Sequence, residues 1–501
     1  MRSASARLLL VLALALAVGK RAPALVDDRA WFDEFYVFLE SMGISFRDPW
    51  PARFVRADVD PSPEFSRVLD LLTREDAYPP LVHAITWSLH AVPNPLLAAR
   101  AVFVLGGLAL IGVVYVGARR LAGPGEAAVI AAYVACSPML TDTGQELKWY
   151  ALAPLLAAAA TFLLLDLRAG ERWRWALYAA CLFLLAQTHY FCVWIIPAHA
   201  LFAWWRRPEL RLRFAAAYAI VLLACAPWLL WALPRQQEYV RHQFEVVFPA
   251  WPPNAWFQPA SLKAITAAHL YTLLAMVGVE PSPVRARYLV PAAGLALWLL
   301  GRGWFALDPR RRDFVRASVA TLGLAIAGQT LYALRLGQTI PLTATYYASW
   351  CPLVMIAVML GALEVSDSRL RAALAAALIG VSVLNVAWLG PPRRALEPGS
   401  LSDYREVARA LSEADRTSAI VFRSDRDAKM VNVFYDGPAT QVIWAADDEP
   451  VVPADALRLV CVSATDAPAV RVPPGWTSVA TPQVFGHTRL ERLGRAVMPS
   501  P

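Results

Sequence analysis

The sequence predicts a polytopic α-helical membrane protein that ends in a small soluble α/β domain. Hydrophobic residues make up 58% of the 501 residues and charged residues only 17%, a composition unlike that of soluble domains. Apolar segments long enough to cross the roughly 30 Å hydrocarbon core recur up to about residue 390. Residues after about 398 are mixed and polar. We therefore expect a membrane domain at 1–392 and a soluble domain at 398–501.

Eleven apolar segments are candidate transmembrane helices. They are 7–26, 98–117, 122–140, 150–167, 174–190, 191–205, 214–233, 287–304, 317–335, 343–364 and 370–390. The first could instead be a cleaved signal peptide, because Arg2 and Arg7 precede it and Ala22-Pro23-Ala24 follows it. We favour a retained helix. A further apolar stretch, 264–280, is expected to lie along the membrane surface or to pack on the helix bundle.

Short arginine-rich loops set the expected topology. They hold Arg119 and Arg120; Arg168, Arg172 and Arg174; Arg206, Arg207, Arg211 and Arg213; Arg310, Arg311, Arg312 and Arg316; and Arg369 and Arg371. With the N-terminus in the cytoplasm and 264–280 not spanning, the positive-inside rule places all of them in the cytoplasm. The net charge of +8 is therefore a topology signal, and we expect no nucleic-acid partner.

The same topology leaves three regions outside the cytoplasm, at about 27–97, 141–149 and 234–286. Function is expected there, because long loops in a compact protein are usually functional or disordered. The tail, 398–501, also lies outside. Ser400 and Asp403 can cap a helix that begins ahead of 404–409. Runs typical of β-strands follow at 419–422, 431–435, 441–444 and 457–462.

An acidic pair, Asp33-Glu34, stands just after the first apolar segment with aromatic residues on both sides. A carboxylate near a membrane surface can take the proton from an acceptor hydroxyl as that hydroxyl attacks an anomeric carbon. A sugar donor linked to a lipid phosphate already carries a good leaving group, so one carboxylate and cations suffice. The alternative is an acidic loop that faces water.

Three further segments offer binding groups. Tyr78-Pro79-Pro80 runs into the next span, and adjacent prolines stiffen such an entry. The segment 143–150 holds Gln145, Glu146, Lys148 and Tyr150 at the outer start of a span, where a lysine could bind a lipid phosphate. Lys148 could instead snorkel to the headgroups beside an aromatic belt. His189, in Thr188-His189-Tyr190, could hydrogen-bond substrate or serve only in packing.

In this order, these segments resemble the GT-C membrane glycosyltransferases, in particular bacterial members similar to protein O-mannosyltransferases and the lipid A aminoarabinose transferase. The family pattern has an acidic pair after the first helix, a proline pair, and a Gln-Glu-Ala-Arg-x-Tyr-like segment before the fourth helix. The resemblance extends to 188–190 and 403–408 and spans most of the chain.

The resemblance implies an inverting transfer, with Asp33 as the general base and Glu34 assisting. It implies a polyprenyl-phosphate sugar donor and an acceptor glycan, lipid or protein on the periplasmic side of a bacterial inner membrane. The donor would be bound by Gln145, Glu146, Lys148, Tyr150, His189, Tyr190 and Tyr346.

Two positions depart from the family pattern. Lys148 stands where the family usually has arginine, which keeps the charge but loses the bidentate fork. Tyr346-Tyr347 stands where an Arg-Tyr pair often opens a late helix. Arg235 and Arg241, in the predicted loop 234–286, are candidate replacements for the missing cation.

Signatures for zinc, P-loop, dinucleotide and Ser-His-Asp sites are missing at usable spacing, and the six cysteines form no CxxC pair. We therefore predict no metal ligands and no cofactor, and leave a requirement for a divalent metal open. Two other classes compete with an enzyme. A transporter or flippase would place binding groups near the bilayer midplane, often with inverted repeats. A non-catalytic scaffold would leave Asp33 dispensable.

Overall fold

Each of the eleven predicted apolar segments contains a helix in the computed structural model of the chain. The structure describes residues 3–26, 32–45, 53–54, 64–243, 245, 258–279, 286–387, 401–412, 414, 418–422, 425–433, 435, 437–443, 456–464, 476–485 and 488–495. The chain divides into two units. The first comprises Met1–Val26, Leu72–Val82 and Ala98–Gly390, and the second comprises Asp27–Leu71, His83–Leu97 and Pro391–Pro501.

The described α-helices are numbered here in chain order. They are α1 (Ser3–Arg21), α2 (Phe32–Ser41), α3 (Phe65–Arg74), α4 (Leu81–Ser88), α5 (Pro95–Ala118), α6 (Pro124–Ala135), α7 (Pro138–Thr143), α8 (Leu152–Asp166), α9 (Arg172–Ala186), α10 (Ile195–Arg206), α11 (Arg211–His242), α12 (Leu262–Met276), α13 (Ala286–Trp304), α14 (Pro309–Leu336), α15 (Cys351–Leu363), α16 (Ser368–Ala387), α17 (Leu401–Leu411) and α18 (Asp425–Asn432). Short 3-10 segments at Tyr190–Trp194 and Ala344–Trp350 precede α10 and α15.

Six of the described helical segments are long and apolar enough to cross a membrane. They are Ser5–Leu25, Pro95–Ala118, Pro208–His242, Pro309–Leu336, Ala344–Leu363 and Ser368–Ala387. Other predicted spans are shorter helices: α9 has 15 residues and α10 has 12, which gives lengths of about 22 and 18 Å. The prediction of a polytopic helical membrane protein is confirmed, with helices of unequal length.

Helix α11 is longer than predicted. It runs 32 residues from Arg211 to His242 and continues through Pro227 and Pro234. The predicted outside region 234–286 therefore begins with the last turns of a helix, and Arg235 and Arg241 lie on that helix. A prolyl residue removes one backbone donor, but helices that pack in a membrane bundle tolerate this because neighbouring groups compensate. At about 48 Å, this helix exceeds the thickness of the hydrocarbon core.

Helix α12 covers most of the apolar stretch 264–280. It packs on the bundle through Ile265, which forms a buried cluster with Ala333 of α14 and Leu342. The Ser261 hydroxyl accepts from the Ala264 backbone N–H and caps the helix. The helix is 15 residues long, and its contacts agree with the expected packing on the bundle.

The second unit contains a sheet of seven strands. They are β1 (Arg53–Phe54), β2 (Ser418–Phe422), β3 (Thr440–Ile443), β4 (Arg458–Ala464), β5 (Trp476–Ser478), β6 (Gln483–Phe485) and β7 (Thr488–Arg495). The order is β1-β3-β2-β4-β7-β5, with β6 also paired to β7. Strand β2 runs parallel to β3 and β4, and the outer pairs are antiparallel. A buried cluster including Val421, Leu459 and Leu493 forms the core.

Of the four strands predicted in the tail, three are present and one is a helix, and three further strands were not predicted. Strands β2, β3 and β4 confirm the predictions at 419–422, 441–444 and 457–462. The predicted strand 431–435 is wrong, because helix α18 occupies 425–432 and buries Ala428, Met430 and Val431. A short apolar run fits a buried helix face as well as a strand. Strands β5, β6 and β7 were not predicted.

Part of the long first loop belongs with the tail. Strand β1, from that loop, pairs antiparallel with β3, so that Arg53 lies opposite Val442. The Arg67 Nε donates to the Gly43 carbonyl at 2.7 Å, and an Arg405 guanidinium nitrogen donates to the Pro93 carbonyl at 2.5 Å. The predicted outside loop 27–97 is therefore ordered in part around the same sheet as the tail.

Candidate functional site

The segment between α7 and α8 turns sharply and buries its polar side chains. The Gly144 N–H donates to the Leu140 carbonyl at 3.2 Å, and the Lys148 N–H donates to the Glu146 carbonyl at 2.8 Å. The Gln145 amide donates to the Thr141 carbonyl at 2.9 Å. The predicted binding residues Gln145, Glu146, Lys148 and Tyr150 are all buried as a result.

Helix α1 supports this turn. The Arg21 guanidinium donates to the Leu140 carbonyl at 2.8 Å and to the Ala17 carbonyl at 3.1 Å. A Cβ atom at Gly144 would stand only 2.5 Å from the Leu140 carbonyl oxygen. A side chain other than hydrogen at position 144 would therefore push the turn away from α7.

Lys148 is held inside the first unit. Its side chain is 5% exposed, and its ammonium group lies 4.9 Å from the centre of the Tyr78 ring. A cation at this distance from a ring face is attracted by the ring quadrupole, and more strongly where water is excluded. This places the predicted cation next to the predicted Tyr78-Pro79-Pro80 segment. A snorkelling lysine would instead extend its ammonium group away from the protein.

Aromatic rings from four separate segments of the chain lie close together in this region. The Trp149 and His189 ring centres are 4.3 Å apart, and His189 and Tyr346 are stacked at 5.3 Å. Tyr78 and His189 are 5.2 Å apart, and Phe191 meets Tyr346 edge to face at 5.4 Å. The structure thus brings together the predicted residues Lys148, His189 and Tyr346, although they are far apart in the sequence.

His189 is a neutral hydrogen-bond donor in this cluster. Its Nδ1 accepts from the Phe191 backbone N–H at 3.1 Å, so the proton of the neutral ring is on Nε2. Burial, and secondarily the charge of Lys148, lowers the pKa of His189 from 6.5 to about 3. Within the part of the chain that the structure describes, the buried Trp149 Nε1–H also lacks a hydrogen-bond partner. The Lys148 ammonium group and the N–H groups of His189 and Trp149 therefore lie close together among aromatic rings.

Tyr190 is placed by a second network. Its hydroxyl donates to Gln236 and accepts from the Trp228 indole N–H at 3.0 Å. Gln236 in turn donates to the Leu72 and Tyr78 carbonyls, at 2.8 and 3.0 Å. Burial raises the pKa of Tyr190 to about 12, which keeps it a protonated donor. Tyr190 and Gln236 thus fix the backbone that carries the Tyr78 ring.

Gln236 was not predicted as a site residue, whereas its neighbours Arg235 and Arg241 were. Arg235 is exposed on α11, lies 5.2 Å above the Trp231 ring and donates to the Trp231 carbonyl at 3.2 Å. Arg241 is also exposed. Because α11 continues through position 242, helical periodicity turns Gln236 inward and Arg235 outward. The sequence signal that could have identified Gln236 is its position on the inward face of the helix, if the helix is continued past Pro234.

The acidic pair lies at the start of a short helix that follows α1. Asp33 and Glu34 are the second and third residues of α2. Carboxylates are favoured there because the first turn of a helix presents unpaired N–H groups. Glu34 is fully buried, so it does not face water. The Asp33 side chain lies outside the described residues.

A buried contact between a carboxyl group and a histidine ring in the second unit was not predicted. Glu40, on α2, and His83, on α4, approach to 3.0 Å and are at most 1% exposed. They are 43 residues apart, so no local motif could pair them. The contact joins the helix that carries the acidic pair to α4.

Comparisons with known proteins agree with the family resemblance. Residues 77–231 match the model of the dolichyl-phosphate-mannose-protein mannosyltransferase family. This range includes Tyr78, Lys148, Trp149 and His189. No curated protein matches the chain. The family match supports the predicted resemblance to GT-C glycosyltransferases over less than half of the chain.

Two solved structures are similar to this chain at 14% identity, each with a TM-score of 0.48. One is the oligosaccharyltransferase of Archaeoglobus fulgidus in complex with zinc and sulfate, and the match covers 86% of this chain and 62% of that one. The other is ArnT from Cupriavidus metallidurans bound to undecaprenyl phosphate, with 100% of both chains covered. This chain therefore spans less than two thirds of the length of the archaeal enzyme.

Proposed function

We propose that this chain is a membrane glycosyltransferase. It would move a sugar from a polyprenyl-phosphate-linked donor to an acceptor hydroxyl at the outer face of a bacterial inner membrane. The observation that carries the proposal is the family match over 77–231, because this range contains the buried Lys148 and the cluster residues Tyr78, Trp149 and His189. The acceptor is a glycan, a lipid or a protein.

The chemistry of the Lys148 region supports a phosphate-bearing donor. A lysine ammonium is a point charge suited to phosphate, and N–H groups of His189 and Trp149 can donate to its oxygens. The low pKa of His189 keeps Nε2–H a donor and leaves Lys148 as the nearby cation. Aromatic faces at Tyr346 and Tyr78 offer surfaces for the apolar face of a sugar ring.

The proposed reaction needs one base and no cofactor. The acceptor oxygen attacks the anomeric carbon, and the carbon–oxygen bond to the lipid phosphate breaks. The phosphate leaves as a stable anion and needs no proton. The acceptor's proton passes to Asp33, and Glu34 assists by orienting groups. Attack opposite the leaving phosphate inverts the anomeric centre.

Sugar transfer by the purified, lipid-reconstituted full chain tests this proposal, with a polyprenyl-phosphate sugar donor and a matched acceptor. Asp33→Asn keeps the shape of the side chain but removes the basic lone pair. We expect donor binding to survive while transfer falls by roughly 10²-fold or more, because general-base catalysis contributes about that much. Glu34→Gln should reduce transfer less.

Arg235→Ala serves as the matched control, since Arg235 is exposed and engaged with Trp231. It should transfer sugar at the wild-type rate at saturating donor. A folded Asp33→Asn protein that turns over like the wild type would show that Asp33 is not the base. A wild-type protein that binds the donor and transfers nothing would contradict the enzymatic function itself.

A further inference from the structure

A cavity of about 200 Å³ lies at the end of α8 that is opposite to Lys148, a residue of the proposed donor site. Helix α8 begins four residues after Lys148 and ends at Asp166, which lines the cavity. With 15 residues, α8 separates the two regions by about 22 Å. The cavity is therefore distinct from the proposed donor site.

The cavity is lined by charged residues at four connections between helices, including the helix ends beside them. Its charged lining consists of Arg120, Asp166, Arg168, Arg207, Arg310 and Asp313. These loops are four of the arginine-rich loops in the sequence. Their convergence on one cavity shows that they lie at the same end of the first unit.

Both lining aspartates are already neutralised. Asp166 pairs with Arg120, and Asp313 pairs with Arg206 at 2.9 Å. Arg207 donates to the Leu165 carbonyl at 2.6 Å, a contact that leaves its charge uncompensated. Among the residues that the structure describes, the guanidinium groups of Arg168 and Arg310 have no ion-pair or hydrogen-bond partner. Three positive charges thus face one cavity without a counter-charge.

Large apolar side chains that are close in sequence to the cavity's arginines are exposed, which favours a position at the membrane surface. Phe305 and Leu307, shortly before Arg310, are 76% and 90% exposed, and Trp204 and Trp205, before Arg207, are 58% and 67% exposed. Exposed tryptophans flanked by arginines are typical of the headgroup region of a bilayer. Exposed apolar side chains so close in sequence to the lining arginines favour a lipid over a free anion.

We infer that this cavity binds the headgroup of an anionic phospholipid, such as phosphatidylglycerol. The planar guanidinium groups of Arg168, Arg207 and Arg310 match the geometry of phosphate oxygens, and the exposed apolar residues contact the acyl chains. A bound headgroup would join the ends of α8, α10 and α14. The site is on the face with the arginine-rich loops, whereas the proposed donor phosphate binds at the other end of α8.

The experiment measures lipid binding by the full-length protein in neutral detergent, independently of sugar transfer. Phosphatidylglycerol and phosphatidylcholine with the same acyl chains are titrated, and the shift in thermal unfolding is recorded at low and high salt. We expect phosphatidylglycerol to stabilise the wild type more, and salt to weaken the effect. Arg168→Gln with Arg310→Gln should weaken apparent phosphatidylglycerol affinity about tenfold to thirtyfold.

Arg213→Gln with Arg369→Gln is the matched control. Both residues are exposed, belong to the arginine-rich loops and do not line the cavity. This control should keep wild-type affinity. Equal loss in both double variants would show a diffuse basic surface and overturn the proposal, as would unchanged affinity in the cavity variant. Inorganic phosphate that stabilises the protein as effectively as phosphatidylglycerol would overturn the assignment to a lipid.

Discussion

At the scale of single residues, burial gives Lys148 a more defined role than its position in the sequence does. A lysine at the outer start of a span is suited both to phosphate binding and to snorkelling. In the structure, its ammonium group faces the Tyr78 ring, beside His189 and Trp149. The cluster therefore forms a small polar site enclosed by aromatic rings.

Replacing Lys148 with alanine should weaken donor affinity more than it slows transfer at saturating donor. The lysine would contact the lipid phosphate, which remains charged in both the ground state and the transition state. Removing such uniform binding raises KM with little change in kcat. Steady-state transfer assays over a range of donor concentrations measure both constants. An unchanged KM would remove Lys148 from the donor site, and Arg241 on α11 would be tested next.

His189 should make the folded state sensitive to acid. Its folded pKa is about 3, whereas its unfolded pKa is near 6.5. Between these values the unfolded chain binds a proton that the folded chain does not, so stability is complete above about pH 6.5 and falls as the pH drops towards 3. In His189→Gln, thermal unfolding midpoints should depend less steeply on pH in this window. Equal slopes for variant and wild type would contradict the buried, neutral histidine.

At the scale of elements, the backbones of helices α13 and α15 pack so closely at Gly361 that no side chain fits between them. A Cβ atom built on Gly361 would stand 1.8 Å from the Leu299 carbonyl oxygen, a backbone atom that cannot rotate away. Small residues allow such close approach between membrane helices. Gly361 therefore sets the distance between these two helices.

Gly361→Ala should destabilise the protein by about 1–3 kcal/mol, the usual cost of overpacking. This is opposite to the effect of alanine in an open helix position, where it is favoured over glycine. Gly294→Ala on α13 is the control, because no atom lies within 4 Å of its Cβ position. Thermal unfolding in detergent compares the two. A Gly361→Ala protein as stable as Gly294→Ala would refute the close packing.

At the scale of the whole molecule, the arginine-rich loops and the cluster of Lys148 and His189, the proposed donor site, occupy opposite ends of the same helices. Lys148 precedes α8 and Arg168 follows it, while Arg172 opens α9 and His189 follows it. With the arginines in the cytoplasm, the donor region lies outside. The topology prediction is thus consistent with the distribution of charge over the first unit.

Reporter fusions after residue 400 test this orientation. We expect a periplasm-active reporter to work there and a cytoplasm-active reporter to fail, since the N-terminus is expected inside and the 398–501 domain outside. A fusion in the loop that holds Arg168 should give the opposite pattern and serves as the internal control. If only the cytoplasm-active reporter works after residue 400, the 398–501 domain lies in the cytoplasm and the predicted orientation is wrong.

The sequence by itself determined the elements whose signal is local. Hydropathy located a helix in every predicted apolar segment, because burial in lipid requires long apolar runs. Short runs of residues that favour β-structure correctly predicted β2, β3 and β4. The local sequence did not predict where α11 ends, because packing against neighbouring helices decides this. It also did not predict the conformation of 431–435, because a short apolar run fits a helix as well as a strand.

Only the tertiary structure decided which distant residues meet. Lys148, His189 and Tyr346 were each predicted separately, and the fold brings them into one cluster. Gln236, the Glu40–His83 pair and the arginine-lined cavity each depend on contacts between segments far apart in the chain. The physical reason is that hydropathy and charge act on neighbouring residues, whereas a binding site depends on three-dimensional distances and on the exclusion of water, which only packing creates.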